Sequence, residues 1–128
     1  MKHLFVPDEL SLLAKNKGFN EKCLAIFDNE GFRLTREPLR NSELEGNHWR
    51  FTYPLYQQLI DWFRNVHSIN IEIVFNDFGG GTTKEDRTWY YYMSSMSARH
   101  GKGEHGKEML PYYEALNKAI EEALKLLP

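Results

Sequence analysis

Apolar side chains in the segment PLYQQLIDWFRNVH return at helical spacing. Leu55, Leu59, Trp62, Phe63 and Val66 stand at i, i+4, i+7, i+8 and i+11, with Tyr56 and Ile60 widening the stripe. That period places them along one side of an α-helix, leaving Gln57, Asp61, Arg64 and Asn65 on the other. Pro54 suits the helix start, where a missing N–H costs nothing. Directly afterwards the period drops to two. In SINIEIVF, Ile69, Ile71, Ile73 and Phe75 point one way and Asn70, Glu72 and Val74 the other, which is a strand with one buried face.

The run TWYYYMSSM has strand composition, and Trp89, Tyr91 and Met93 form one candidate inward set, with Tyr90, Tyr92 and Ser94 outward. The opposite phase is open, because both sets are large. PYYEALNKAIEEALKLLP starts on Pro111 and puts Leu116, Ala119, Ile120, Ala123, Leu124 and Leu127 on one helical face. Near the N-terminus, VPDELSLLAKNKGF reads as a short helix from about Asp8 to Asn16. Pro7 and two acids stand at its start, Lys17-Gly18 at its end, and Leu10, Leu13 and Ala14 on a narrow buried stripe. CLAIFDNEGFRLTRE reads as two strands joined at Asp28-Asn29-Glu30-Gly31, where Asn and Gly tolerate positive φ. Residues 38–54 lack a period and are expected to form a long connection, within which HWRFTY has the makings of a short strand.

The order α-β-β-α-β-β-α predicts an α+β fold: an antiparallel sheet of about four strands in two hairpins with three amphipathic helices, the second and third mainly covering one face. A chain of 128 residues fits one domain spanning 1–128, large enough to bury roughly two-thirds of its unfolded surface. Aromatic residues reach 14%, which points to an aromatic core. Sixteen Lys plus Arg against eighteen Asp plus Glu leave a net charge of −2, so no global basic field attracts nucleic acid. One cysteine forms no internal disulfide, MKHLFVPDEL has no signal-peptide core, and no apolar run spans a membrane; a cytoplasmic location with no membrane contact is expected.

The residues PLYQQLIDWFR-NVHSINIEI, then W-Y-Y-Y-M, then YYEALNKAIEEALKLL resemble a family of small uncharacterised proteins from phages, prophages and mobile elements of gut Bacteroides-type bacteria. The likeness is clearest from Tyr53 onward and also touches VPDELSLLAKNKGF. It implies a mobile-element origin and brings no reaction, ligand or catalytic residue with it.

The chain offers several stretches that chemistry could use. FGGGTTKED has glycines and a lysine, but a phosphate-binding loop needs GxxxxGK[ST] between a strand and a helix. Here Lys84 follows Thr83 and the next element is a strand, so the run from Gly79 to Asp86 is expected to reverse two antiparallel strands. ARHGKGEHGKE, ending at Glu108, supplies His100, Glu104, His105 and Glu108, whose spacing matches neither HExxH nor a paired-Cys site. A flexible solvated loop from Arg99 to Glu108 is expected, with no metal. Cys23 opens a strand as a small buried residue, Asp61 and Glu72 lie on polar faces, and Ser94, Ser95 and Ser97 lack the GxSxG setting. No catalytic residue and no cofactor is assigned.

The outward tyrosines are the more informative feature. If Tyr90 and Tyr92 stand beside Val74 on an uncovered sheet face, they form a contact surface, since tyrosine buries large area at little rotamer cost. A first helix lying across that face is the competing arrangement. The candidate binding residues are Tyr90, Tyr92, Trp49 and Arg87. They suit a non-catalytic protein-interaction or accessory factor with a protein partner or a second copy. The alternative is a nucleic-acid binder stacking bases on Tyr90, Tyr92 or Trp49, with Arg33, Arg36, Arg40, Arg50 and Arg87 on phosphates.

Overall fold

The structure, a computed structural model, describes residues 1–44, 49–75, 89–95, 103–105 and 110–128, and its residues fall into two compact units: Met1–Asp61 with Leu127–Pro128, and Trp62–Leu126. The fold is α+β with antiparallel sheets, in the element order the periodicities predict. The strands form two three-stranded sheets where one sheet of about four strands was expected. Each expected hairpin gains a third strand of three residues: Phe51–Tyr53, within the HWRFTY stretch read as a candidate short strand, and Gly103–His105, too short to carry a period.

In the first unit, helix α1 (Asp8–Asn16) starts after Pro7, whose carbonyl accepts the Ser11 N–H at 2.9 Å. It ends where Gly18 takes φ 99°, a left-handed conformation that glycine adopts without steric cost. Its buried positions are Ser11 and Ala14, while Leu10 and Leu13, expected on the buried stripe, are half-buried. Two small side chains let the helix approach its neighbour closely, and the Ser11 hydroxyl is satisfied by donating to the Val6 carbonyl at 2.9 Å.

Strands β1 (Cys23–Asp28) and β2 (Gly31–Leu39) form the expected hairpin. Asp28 closes it: its carboxylate accepts the Glu30 N–H and the Arg33 Nε–H, both at 2.9 Å, and Gly31 supplies φ 86°. β3 (Phe51–Tyr53) pairs antiparallel with the other side of β1, giving the order β2-β1-β3, and α1 packs on it. Phe5, Ala25, Phe51 and Tyr53 form the buried cluster, with Leu12, Phe27 and Phe32 packed against it. Asn41 anchors the connection between β2 and β3. It is buried, donates Nδ2–H to the Phe19 carbonyl at 2.8 Å and accepts the Thr52 N–H at 2.9 Å.

Helix α2 (Tyr56–His67) crosses from one unit to the other, which meet in sequence between Asp61 and Trp62. Gln58 stands at its third position, and its side-chain oxygen accepts the Leu55 N–H at 3.3 Å, one half of a capping box. Leu59, Trp62 and Phe63 are buried as the period predicts. Val66 and Leu55 are exposed, Val66 at 57%, in correction of the expected stripe. Periodicity fixes a direction on the helix and does not supply a neighbour in that direction.

The second unit holds β4 (Ile69–Phe75), β5 (Trp89–Ser95) and β6 (Gly103–His105) in the order β4-β5-β6, both pairings antiparallel. Ser68 takes φ 56° between α2 and β4. The segment Arg99–Glu108 was expected to be loop throughout; Gly103–His105 instead pairs its backbone with Ser94, Met93 and Tyr92, a correction that glycine-rich composition conceals. Helix α3 (Tyr112–Lys125) packs on β5 and β4, and its buried face is Ala115, Leu116, Ala119, Ile120, Ala123 and Leu124.

Candidate functional site

The phase of the second sheet follows from its register. Ile71 pairs with Met93, Ile73 with Tyr91 and Phe75 with Trp89, while Glu72 pairs with Tyr92, Val74 with Tyr90 and Asn70 with Ser94. Residues directly opposite in an antiparallel pair share a face. Ile69, Ile71, Tyr91 and Met93 are buried, so the inward set is the one containing Trp89, Tyr91 and Met93. The outer face is therefore Asn70, Glu72 and Val74 against Ser94, Tyr92 and Tyr90. Tyr92 is 37% exposed, Glu72 is exposed, and Tyr90 and Val74 are half-buried. Asn70 donates to Glu72 Oε1 at 3.3 Å and accepts from Arg64 Nε at 3.3 Å, so the face grades from a polar corner to two phenolic rings.

A second aromatic group lies at the end of the inner face. The rings of Phe75 and Trp89 are 5.3 Å apart, Trp89 and Tyr112 5.7 Å, and Tyr112 and Tyr113 5.3 Å, in tilted or edge-on contacts. Trp89 and Leu110 exchange reciprocal backbone hydrogen bonds of 2.8 and 3.0 Å, which bring the start of α3 to the start of β5. Phe75, Tyr112 and Tyr113 are exposed.

The remaining sequence-based candidates fall in the other unit or outside the described residues. Trp49 belongs to the first unit, whereas Tyr90 and Tyr92 belong to the second. It is 40% exposed and continues an aromatic row: its ring meets Phe27 edge-on at 6.3 Å, and Phe27 stacks on Phe51 at 4.9 Å. The Arg50 guanidinium lies 5.4 Å from the Trp49 ring centre. Arg87 lies outside the described residues, as do the Gly79–Asp86 run, Arg99, His100, Ser97 and Glu108. Of the other arginines, Arg33 is paired with Asp28 and Arg40 donates to the Asn20 carbonyl at 2.8 Å with Glu21 4.0 Å away.

An open depression of about 350 Å³ beside the β1–β2 turn is lined by Asp28, Asn29, Glu30, Arg33 and Arg50. The Glu30 N–H and then Arg33 hold the Asp28 carboxyl below the ordinary carboxylate range. Its charges are thus largely matched within the turn. Burial pushes the Cys23 thiol up to about 11, and Cys23 lies 3.6 Å from the Gln58 side-chain oxygen. Such a thiol is protonated near neutral pH and unsuited to nucleophilic attack. Among the described residues no three His, Cys, Asp or Glu gather as a metal site, and no helix is long and apolar enough to cross a membrane.

What sequence reasoning missed is the Phe75, Trp89, Tyr112 and Tyr113 group. Phe75 and Trp89 were legible as inward strand positions, but Tyr112 and Tyr113 fall outside the apolar face of the last helix, and only the Trp89–Leu110 bridge places Tyr112 against Trp89. No family model, no curated protein and no solved structure matches the chain.

Proposed function

We propose that the protein is a non-catalytic interaction factor that contacts another protein through the outer face of the β4–β5–β6 sheet, with Tyr92 and Tyr90 as the contact residues. The observation that carries this reading is the cross-strand arrangement of Val74 with Tyr90 and Glu72 with Tyr92 on a face where Tyr92 is exposed. Tyrosines standing on a rigid strand are held in place before binding, so little rotamer entropy is lost on contact. The carboxylate of Glu72 beside Tyr92 repels a phosphate backbone, and Arg33 and Arg40 are already paired; both features favour protein over nucleic acid as the partner. The resemblance to mobile-element proteins supports an accessory role for such an element, in the cytoplasm of its bacterial host.

The test is a comparison of the full chain with its Tyr90→Ala/Tyr92→Ala double variant. Loss of partner recovery or of self-association, with unchanged circular dichroism and melting temperature, is the expected result. Equal association of the two proteins would remove the sheet face from the account. Recovery abolished by nuclease would transfer the face to nucleic-acid binding.

A further inference from the structure

Among the described residues the two sheets have four edge strands, and three of them are blunted. β3 and β6 are three residues long. β2 is long, but its pairing with β1 is broken: β1 advances two residues, from Cys23 to Ala25, while β2 advances five, from Leu34 to Leu39. The extra residues include Arg36, Glu37 and Pro38, and the Thr35 hydroxyl folds back onto the Glu37 carbonyl at 2.7 Å. Bulges, charges and proline are the devices that stop an edge from pairing with another chain.

β4 carries only one of these devices, a single charge. Its seven residues pair with β5 without a bulge, it contains no proline, and Glu72 is its one charge. Among the described residues no backbone hydrogen bond reaches it from any element but β5. Its exposure rises along its length: Ile69 and Ile71 are buried, Glu72 is exposed, Ile73 and Val74 are half-buried, and Phe75 is 46% exposed. A strand with one partner leaves alternate N–H and C=O groups directed away from the sheet.

We infer that the free edge of β4, from Glu72 to Phe75, is a docking site for an extended segment of a partner protein, which adds to the sheet as a strand and places a lysine or arginine beside Glu72. The inference rests on the protein-interaction reading and names the partner's chemistry. Register dictates the pattern. Residues of the incoming strand that share the inner face meet Ile73 and Phe75 and must be apolar; those on the outer face meet Glu72 and Val74. Charge decides the occupant. A second copy of β4 brings one glutamate and no base, whereas a basic residue opposite Glu72 forms a cross-strand ion pair.

The test is a selection of displayed random twelve-residue peptides on the full-length protein, followed by hydrogen exchange of its amides with the best synthetic peptide bound. The expected peptides alternate apolar and polar residues with Lys or Arg among the polar ones, and they slow exchange within Ile69–Phe75. In Glu72→Lys, with circular dichroism and melting temperature confirming the fold, affinity for those peptides should fall at least tenfold while acidic alternating peptides gain. No enrichment, enrichment without alternation, unchanged affinity in Glu72→Lys, or protection confined to other segments would overturn the inference. Dimers whose β4 amides are already protected without peptide would assign the edge to a second copy and overturn it too. Peptide binding that survives in Tyr90→Ala/Tyr92→Ala would keep the edge and remove the tyrosine face, so the two readings fail separately.

Discussion

Tyr53 is the largest fully buried side chain among the described residues, and its hydroxyl donates to Asp8 Oδ1 at 2.7 Å. Burial, and then Asp8, raises its pKa well above the ordinary phenol range. Tyr53→Phe removes a bond to a charged acceptor and should cost about 1.5 to 3 kcal/mol in urea unfolding; an unchanged midpoint would mean that the bond contributes nothing in solution. Asn41→Ala strands both the Phe19 carbonyl and the Thr52 N–H, so a loss of roughly 2 kcal/mol or more is expected from the same measurement. Cys23 gives a pH dependence. Burial raises its folded pKa to about 11, above the ordinary thiol value of 9.0, so its contribution to stability is full below pH 9 and is lost as pH rises toward 11. Cys23→Ala should flatten that part of the stability profile, and native Cys23 should alkylate slowly at pH 8 until urea exposes it. Little of this was legible beforehand. Cys23 reads as a buried strand residue from its neighbours alone, whereas Asn41 lies in an aperiodic stretch and is explained only by two backbone groups brought together from Phe19 and Thr52.

The elements themselves were far more legible, because each long one carries its own period. α1 spans Asp8–Asn16 as its proline, acids and terminal glycine indicate, and α3 buries the face its leucines and alanines define. The inward set of β5 needed the structure, since Tyr90 and Tyr91 are alike as residues and only pairing with Val74 and Ile73 separates them. Of the short strands, β3 falls within HWRFTY, where a short strand was one expectation, whereas β6 lay beyond reach: three residues show no alternation, and its pairing with β5 is what defines it. The difference between direction and burial has a measurable consequence on two helices. Leu124→Ala in α3 should cost about 2 to 5 kcal/mol by leaving a cavity, while Val66→Ala in α2 should change stability by about 0.5 kcal/mol or less. Comparable losses from the two changes, measured by chemical denaturation, would show that Val66 is buried in solution.

For the whole molecule, the sequence indicated the class and the order of elements but not the division into two units, which falls between Asp61 and Trp62 inside one continuous helical pattern. It also placed Trp49 and the two tyrosines in one candidate set, although they belong to different units. Within the second unit, cross-strand pairing joins Glu72, Val74, Tyr90 and Tyr92 on the outer face of the sheet. In the function proposed above, that face and the adjoining edge of β4 serve as a contact surface built on strands. The most direct measurement is photocrosslinking in the living host from a benzoyl-phenylalanine placed at position 92, with position 66 as an exposed control. The account expects a nuclease-resistant adduct to a protein from position 92 and none from position 66. No adduct at 92, the same adduct from both positions, or an adduct to nucleic acid would contradict it.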